Sequence, residues 1–270
     1  MSAPERFNFA EIQMLIAFRK PGCPICYLKQ ESAQRYINSL LHENVNDASS
    51  RMHLVSGLGF CPEHTWQLYH SEINQYGDFG GIAIIYGDLV RRIVAGLRDF
   101  RTHLPPGVPT RPHWLRRAWV RLLRTSGVVR VSCPGFQPVQ LVPTEPCRVC
   151  QLATDNQRNN IGWLVTGCAN ETFRPRFVAS GGLCRTHLIE ALKVAGEIRP
   201  DVALFLADVA AQHLLAVAAH LDEYSRKRAW QYRHETVTQD ELEAPRKATQ
   251  FFGGPDLTRL GGETNRQQGP

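Results

Sequence analysis

Two short motifs, Cys23-Pro24-Ile25-Cys26 and Cys61-Pro62-Glu63-His64, decide the fold of this chain because both return farther along. The second copies are Cys147-Arg148-Val149-Cys150 and Cys184-Arg185-Thr186-His187. The offset is 124 residues for the first motif (147 − 23 and 150 − 26) and 123 for the second (184 − 61 and 187 − 64). Two unrelated CxxC motifs would not keep this register, so we interpret the chain as an internal duplication.

The repeat continues outside the motifs, where apolar residues recur at helical spacing. Leu28 corresponds to Leu152 and Leu40 to Leu164, both at an offset of 124. Apolar residues three and four positions apart are typical of amphipathic helices. The sequence therefore predicts a mainly α fold of two pseudo-repeated helical units, each held by a CxxC/CxxH metal site.

The predicted organisation has four parts. Residues 1–103 form the first metal-bound helical repeat, and residues 147–235 form the second. Residues 104–146 form a basic linker with a short helix at 114–124 and a small hairpin at 128–142. Residues 236–270 are predicted to be a largely disordered tail, because the end of the chain is polar and rich in glycine.

Three cysteines and one histidine per repeat are ligands that zinc prefers. The two-residue spacing lets one tight turn supply two neighbouring corners of a tetrahedron. Four protein ligands leave no position for the water that a hydrolytic zinc needs, which favours a structural role. We expect two zinc ions, with the simpler grouping inside each half, although spacing alone does not exclude exchange between halves. The expected sites are Cys23, Cys26, Cys61 and His64, and Cys147, Cys150, Cys184 and His187.

Two other kinds of chemistry suit the same cysteines. An iron–sulfur cluster also takes thiolate ligands. A thiol oxidoreductase or a redox or metal sensor would use a Cys-Pro-x-Cys motif at the start of a helix, where the helix dipole lowers a thiol pKa. The second CxxC motif keeps the spacing without the proline, which weakens the redox interpretation. Cys133 and Cys168 do not belong to the repeated pattern of cysteines and are expected to be buried spare thiols.

Composition limits the partners and the location of the chain. The net charge of +6 permits an anionic partner, and the basic stretch from Arg98 to Arg130 includes two tryptophans, so nucleic-acid binding is an alternative function. The first twelve residues lack the features of a signal peptide. Polar residues interrupt the apolar run 202–221, which is expected to be a buried helix rather than a membrane span. Eight cysteines then indicate thiols and metal sites in a cytoplasmic protein.

The motifs resemble those of a bacterial family of uncharacterised proteins that carry Cys-Pro-x-Cys near the start and then Gly-Phe-Cys-Pro-x-His. The second of these is Gly59-Phe60-Cys61-Pro62-Glu63-His64 in this chain. The resemblance extends over most of the chain and implies a helical, zinc-containing protein without an established activity. The second motif copies lack the prolines and depart from the family pattern.

Enzyme chemistry has no support in the sequence. It contains no Ser/His/Asp order, phosphate-binding glycine loop, dinucleotide fingerprint or paired carboxylates. We therefore predict a zinc-binding scaffold or interaction protein, with an unknown protein or small-molecule partner held between its halves.

Overall fold

The computed structural model describes residues 8–103 and 142–255. Over these ranges the chain is helical and has no strand, which confirms the mainly α prediction. The predicted basic helix at 114–124, nearly all of the predicted hairpin at 128–142 and residues 256–270 lie outside the described residues.

The first part of the chain alternates short and long helices. An Asn8/Glu11 capping box starts the first helix, because each side chain accepts a hydrogen bond from the other residue's backbone N–H. The helices are α1 (Phe9–Phe18), α2 (Pro24–Ser39), a π-helical turn (Leu40–Asn44), α3 (Ala48–Ser56), α4 (Pro62–Tyr76) and α5 (Gly80–His103).

The second part repeats this order. Its helices are α6 (Arg148–Gly167), α7 (Arg174–Val178), α8 (Arg185–Ile198), α9 (Pro200–Arg228) and α10 (Gln239–Gly253), with a 3₁₀ turn (Trp230–Tyr232) before the last. Each CxxC motif opens a long helix, each CxxH motif opens another, and a short helix stands between them. This order agrees with the duplication, which itself stays a prediction.

Contacts divide the chain into two units that differ from the predicted division. Unit 1 consists of Met1–Ser39 and Val149–Pro270, and unit 2 is Leu40–Arg148. The predicted boundaries at 103, 146 and 235 followed chain order, whereas α1 and α2 pack in the same core as the C-terminal helices. The ring of Phe18 in α1 contacts Phe173 and Phe177 edge-on, with ring centroids 5.1 and 5.6 Å apart.

Unit 1 has a continuous apolar core to which α1, α2 and α6–α9 contribute. Met14 and Phe173 are almost completely buried in it. Two of the predicted metal ligands, Cys23 and Cys184, belong to the same buried cluster. Burial of each large apolar side chain in this core stabilises the folded unit by about 1.5–3 kcal/mol.

Helix α9 is less buried than expected. One face buries Val202, Leu206 and Val209, but Leu204 and Leu215 are 69% and 71% exposed. By length and mean hydropathy this helix could cross a membrane, a test that core helices of water-soluble proteins also pass. It also carries the exposed Asp208 and packs against α8 and α10.

Unit 2 is held together by a smaller core and one buried carboxylate. Leu54, Leu68 and Ile85 are buried. Glu72 in α4 is 3% exposed and accepts hydrogen bonds from the backbone N–H groups of Gly81 (2.5 Å) and Ile82 (2.8 Å). These groups start α5, so the carboxylate satisfies two donors that have no partner within the helix.

Helix α10 lies in the stretch expected to be largely disordered. Thr238 and Glu241 form a capping box at its start. Glu241 also pairs with Lys227 in α9, with Nζ–Oε distances of 2.8 and 2.9 Å, and both side chains are nearly buried. A cap and an ion pair therefore order residues 239–253 against α9.

Candidate metal centres

The first group of ligands lies in unit 1 and consists of Cys23, Cys26, Cys184 and His187. Cys23 directly precedes α2 and Cys26 is in the first turn of that helix. Cys184 is the N-cap of α8, and His187 is in its first turn. Two helix starts therefore face each other and supply two ligands each.

Glycines allow the two helix starts of this group to approach. Gly22, just before Cys23, has a φ of +86°, a conformation that favours glycine. A Cβ on Gly181 would lie only 3.0 to 3.3 Å from backbone atoms of Gly22. The backbones at Gly22 and Gly181 are therefore in contact. Larger side chains at these positions would separate the Cys23/Cys26 pair from the Cys184/His187 pair.

The distances in this group match the edges of a tetrahedron around one ion. The Sγ atoms of Cys26 and Cys184 are 3.7 Å apart. His187 Nδ1 lies 3.2 Å from each of them and 3.4 Å from Cys23 Sγ. With Zn–S bonds near 2.3 Å and Zn–N near 2.0 Å, tetrahedral geometry requires S–S and S–N edges of about 3.8 and about 3.5 Å.

The second group consists of Cys61, His64, Cys147 and Cys150. Cys61 is the N-cap of α4 and His64 is in its first turn, while Cys147 directly precedes α6 and Cys150 lies in its first turn. His64 Nδ1 is 3.1 Å from Cys61 Sγ and 3.7 Å from Cys147 Sγ. All four ligand atoms lie within 4.8 Å of one another, as in the first group.

In the second group, the approach to the Cys61–His64 turn also depends on glycine. Gly59 has a φ of +92°, and a Cβ there would lie 3.4 Å from side-chain atoms of Tyr86 and Leu89. The Tyr86 hydroxyl donates to Thr65 Oγ1 at 3.2 Å, and burial raises the pKa of this phenol. Helix α5 thereby supports the turn that carries Cys61 and His64.

The structure corrects the predicted grouping of ligands. The grouping inside each half is wrong, because each CxxC motif meets the CxxH motif of the other half. Helix α2 has 16 residues, about 24 Å at 1.5 Å per residue, and the chain then enters unit 2. Cys61 and His64 therefore belong to a different unit from Cys23 and Cys26.

Hydrogen bonds among its own members determine which groups of the first site carry protons. Hydrogen bonds from Cys23 and Cys26 hold the pKa of Cys184 far below its usual range, and the same pairing raises that of Cys26. Burial lowers the pKa of His187, but hydrogen bonds with Cys184 and Cys23 outweigh it and raise the value to about 9. A metal must displace the remaining thiol protons and the imidazolium proton, so its affinity decreases as the pH decreases.

The donor sets fit one mononuclear ion each. A four-iron cluster spreads its ligands over separate iron atoms, whereas the ligand atoms of each group here all lie within 4.8 Å of one another. The 3.7 Å between Cys26 and Cys184 sulfurs is also far longer than a disulfide bond of about 2.05 Å. All eight predicted metal ligands thus lie in two groups that could each hold an ion, and in both the histidine presents Nδ1.

Other described cysteine and histidine residues do not belong to these groups. Cys168 is completely buried in the core of unit 1, and burial raises its pKa to about 12. His213 Nε2 donates to the Val178 carbonyl at 3.1 Å. Cys133 and most of the basic stretch lie outside the described residues. The contact between Gly22 and Gly181 was not predicted from the sequence. The glycines that precede the two motifs could have indicated it.

Comparison with known proteins identifies a family whose function is unknown. The profile described as "Family of unknown function (DUF6062)" matches residues 8–236. The chain belongs to this family. The DUF6062 match includes both ligand groups and ends before α10 begins at Gln239.

A curated bacterial relative is also similar to this chain. It is the "Uncharacterized 23.9 kDa protein in xynA 3'region" of Caldicellulosiruptor sp. (strain Rt8B.4), with 24% identity over 243 residues. The alignment covers 89% of this DUF6062 chain and 99% of the relative. No solved structure matches.

Proposed function

We propose that this protein is a zinc-binding helical scaffold in which two structural metal ions fix the chain by joining its halves. The observation that carries this proposal is the exchange of motifs: each group combines a CxxC pair and a CxxH pair from different halves, with ligand atoms within 4.8 Å. Three thiolates and one imidazole fill the four positions of a tetrahedral zinc. The ion would then have no position left for substrate or water.

The ligand separations support a structural role. The first group joins Cys26 to Cys184, 158 residues apart, and the second joins His64 to Cys147, 83 residues apart. Closing loops of this length restricts the unfolded chain, so metal binding stabilises the folded state. The scaffold would leave its exposed helical surfaces available to a protein or small-molecule partner.

The free thiols support a reducing location. Among the described residues, the cysteines of the ligand groups and Cys168 are not in disulfides. Thiolate metal sites persist where thiols are kept reduced, so we place the protein in the cytoplasm.

Elemental analysis of the purified protein tests the proposal. We expect two zinc ions per chain, a colourless protein and loss of helical structure with a strong chelator. A coloured protein that contains iron would show that the bound metal is iron and not zinc. Less than one ion per chain, with rapid formation of a Cys26–Cys184 disulfide under mild oxidant, would reject the scaffold in favour of the redox alternative.

A further inference from the structure

Unit 1 contains a cavity beside the first metal centre. Its volume is about 590 Å³, within the range of small-molecule sites. Helix α9 forms one wall and α10 the other, and residues 180–184 with Cys23 close one end. Two of the four metal ligands, Cys23 and Cys184, therefore line it.

The orientation of α10 gives the cavity two different ends. At the start of α10, Glu241 pairs with Lys227 near the end of α9. At its other end, Gln250 lies beside Gly22, and a Cβ on Gly254 would be 3.9 Å from Cys26 Sγ. The cavity thus extends from the metal centre toward the charged first turns of α10.

Most of the lining is apolar. Leu206 and Val209 on α9 contribute buried side chains to the lining, and Phe251 on α10 also lines the cavity. Ala210 lines the same wall of α9, while its neighbour Ala211 is exposed and does not line the cavity. Such a surface binds a hydrocarbon chain by removing it from water.

The lining carries two carboxylates, Asp240 and Glu243, and two cations, Arg246 and Lys247. Lys247 lies 3.4 Å from both carboxylates, so it pairs with each of them. Arg246 is exposed and makes no hydrogen bond or ion pair with any described residue. An anionic group at the rim would find a guanidinium, which binds carboxylates well.

We propose that this cavity binds an amphipathic monocarboxylate, with the hydrocarbon chain between α9 and α10 and the carboxylate at Arg246. The wall formed by α10 begins at residue 239, beyond the DUF6062 match that ends at 236. This wall of the cavity therefore lies outside the residues that the family match includes.

Calorimetry with dodecanoate tests the proposal on the full-length, metal-loaded protein below the micelle concentration. We expect one molecule bound per chain. Dodecan-1-ol should bind about tenfold more weakly and dodecyltrimethylammonium more weakly still, because neither can pair with Arg246. Acetate, which lacks the chain, should give no heat.

Matched variants locate the binding. Ala210→Phe should fill the cavity and abolish dodecanoate binding, whereas Ala211→Phe on the exposed side of α9 should not. Arg246→Gln should weaken dodecanoate about tenfold and leave dodecan-1-ol unchanged, with Arg228→Gln, outside the cavity, as its control. If circular dichroism shows that Ala210→Phe does not fold, the test depends on two other comparisons. These are Arg246→Gln with Arg228→Gln, and dodecanoate with dodecan-1-ol and dodecyltrimethylammonium.

Three results would overturn the proposal: no binding of dodecanoate, equal binding of the cationic probe, or equal effects of Ala210→Phe and Ala211→Phe. Metal content is measured separately on the same samples. A protein with two zinc ions that ignores dodecanoate rejects only this site, and one that binds dodecanoate with another metal content rejects only the zinc scaffold.

Discussion

Crossed double substitutions test the exchange of ligands between the two halves. Cys26→Ser with Cys184→Ser removes two ligands from one group, so we expect one zinc per chain to remain. Cys26→Ser with Cys61→Ser removes one ligand from each group, so both ions should be lost or weakly held. Grouping inside each half predicts the reverse result for the two proteins.

The size of the effect follows from loop lengths. The exchanged site joins Cys26 and Cys184 across 158 residues, compared with 35 from Cys26 to Cys61 (61 − 26). The longer loop is about two doublings of the shorter one. Loop closure in the exchanged site therefore lowers the entropy of the unfolded chain by the equivalent of about 1.3 kcal/mol more than closure inside one half.

The two closed loops are nested, which couples the sites. Once the inner site has formed, the path from Cys26 to Cys184 shortens to the 38 residues up to His64 (64 − 26) and the 34 after Cys150 (184 − 150). Closing 72 rather than 158 residues costs about 0.7 kcal/mol less. Where metal binding is coupled to folding, losing the inner site should weaken zinc at the outer site about threefold.

The assay is elemental analysis after gel filtration, followed by chelator competition for the retained zinc. The single variant Cys168→Ser serves as the control, because Cys168 is buried outside both groups and should leave two ions. One retained zinc in the Cys26/Cys61 protein and none in the Cys26/Cys184 protein would refute the exchanged arrangement.

Three further predictions concern the helical framework. Phe173→Ala should lower the free energy of unfolding by about 3–5 kcal/mol in denaturant titrations, because the ring is buried against Phe18; an effect under 1 kcal/mol would contradict this packing. The Lys227 ammonium lowers the pKa of the Glu241 carboxyl, so the ion pair should stabilise the fold above pH 4.5 and stop doing so as the pH falls below 4.5. The difference in denaturant midpoint between the wild type and Glu241→Gln should therefore disappear at low pH. A difference that does not depend on pH would argue against the ion pair. Cys168 should resist alkylation in the metal-loaded protein, since burial raises its pKa to about 12; rapid labelling found by mass spectrometry would disagree.

The ligand identities could be predicted from sequence, but their grouping could not. Spacing shows which residues share a tight turn, so Cys23 with Cys26 and Cys184 with His187 were accessible. Which turns meet depends on the direction in which a helix carries the chain, and α2 leads out of unit 1. That information is tertiary and has no local signal.

The end of the chain shows the opposite case, in which a local signal was present. Thr238 and Glu241 have the spacing of a capping box, which predicts a helix start. The glycine-rich residues farther along favoured a tail without structure over the whole stretch. The buried contact of Glu241 with Lys227, which orders this helix, joins residues that no short motif connects.

The nested loops also set an order for synthesis of the chain. The inner ligand set is complete once Cys150 has been added, whereas the outer set needs His187. At about 5–20 residues per second, Cys23 and Cys26 wait about 8–30 s for their partners. The ribosome therefore delivers the inner site first, and the N-terminal thiol pair stays open to oxidants and to competing metals until Cys184 and His187 emerge.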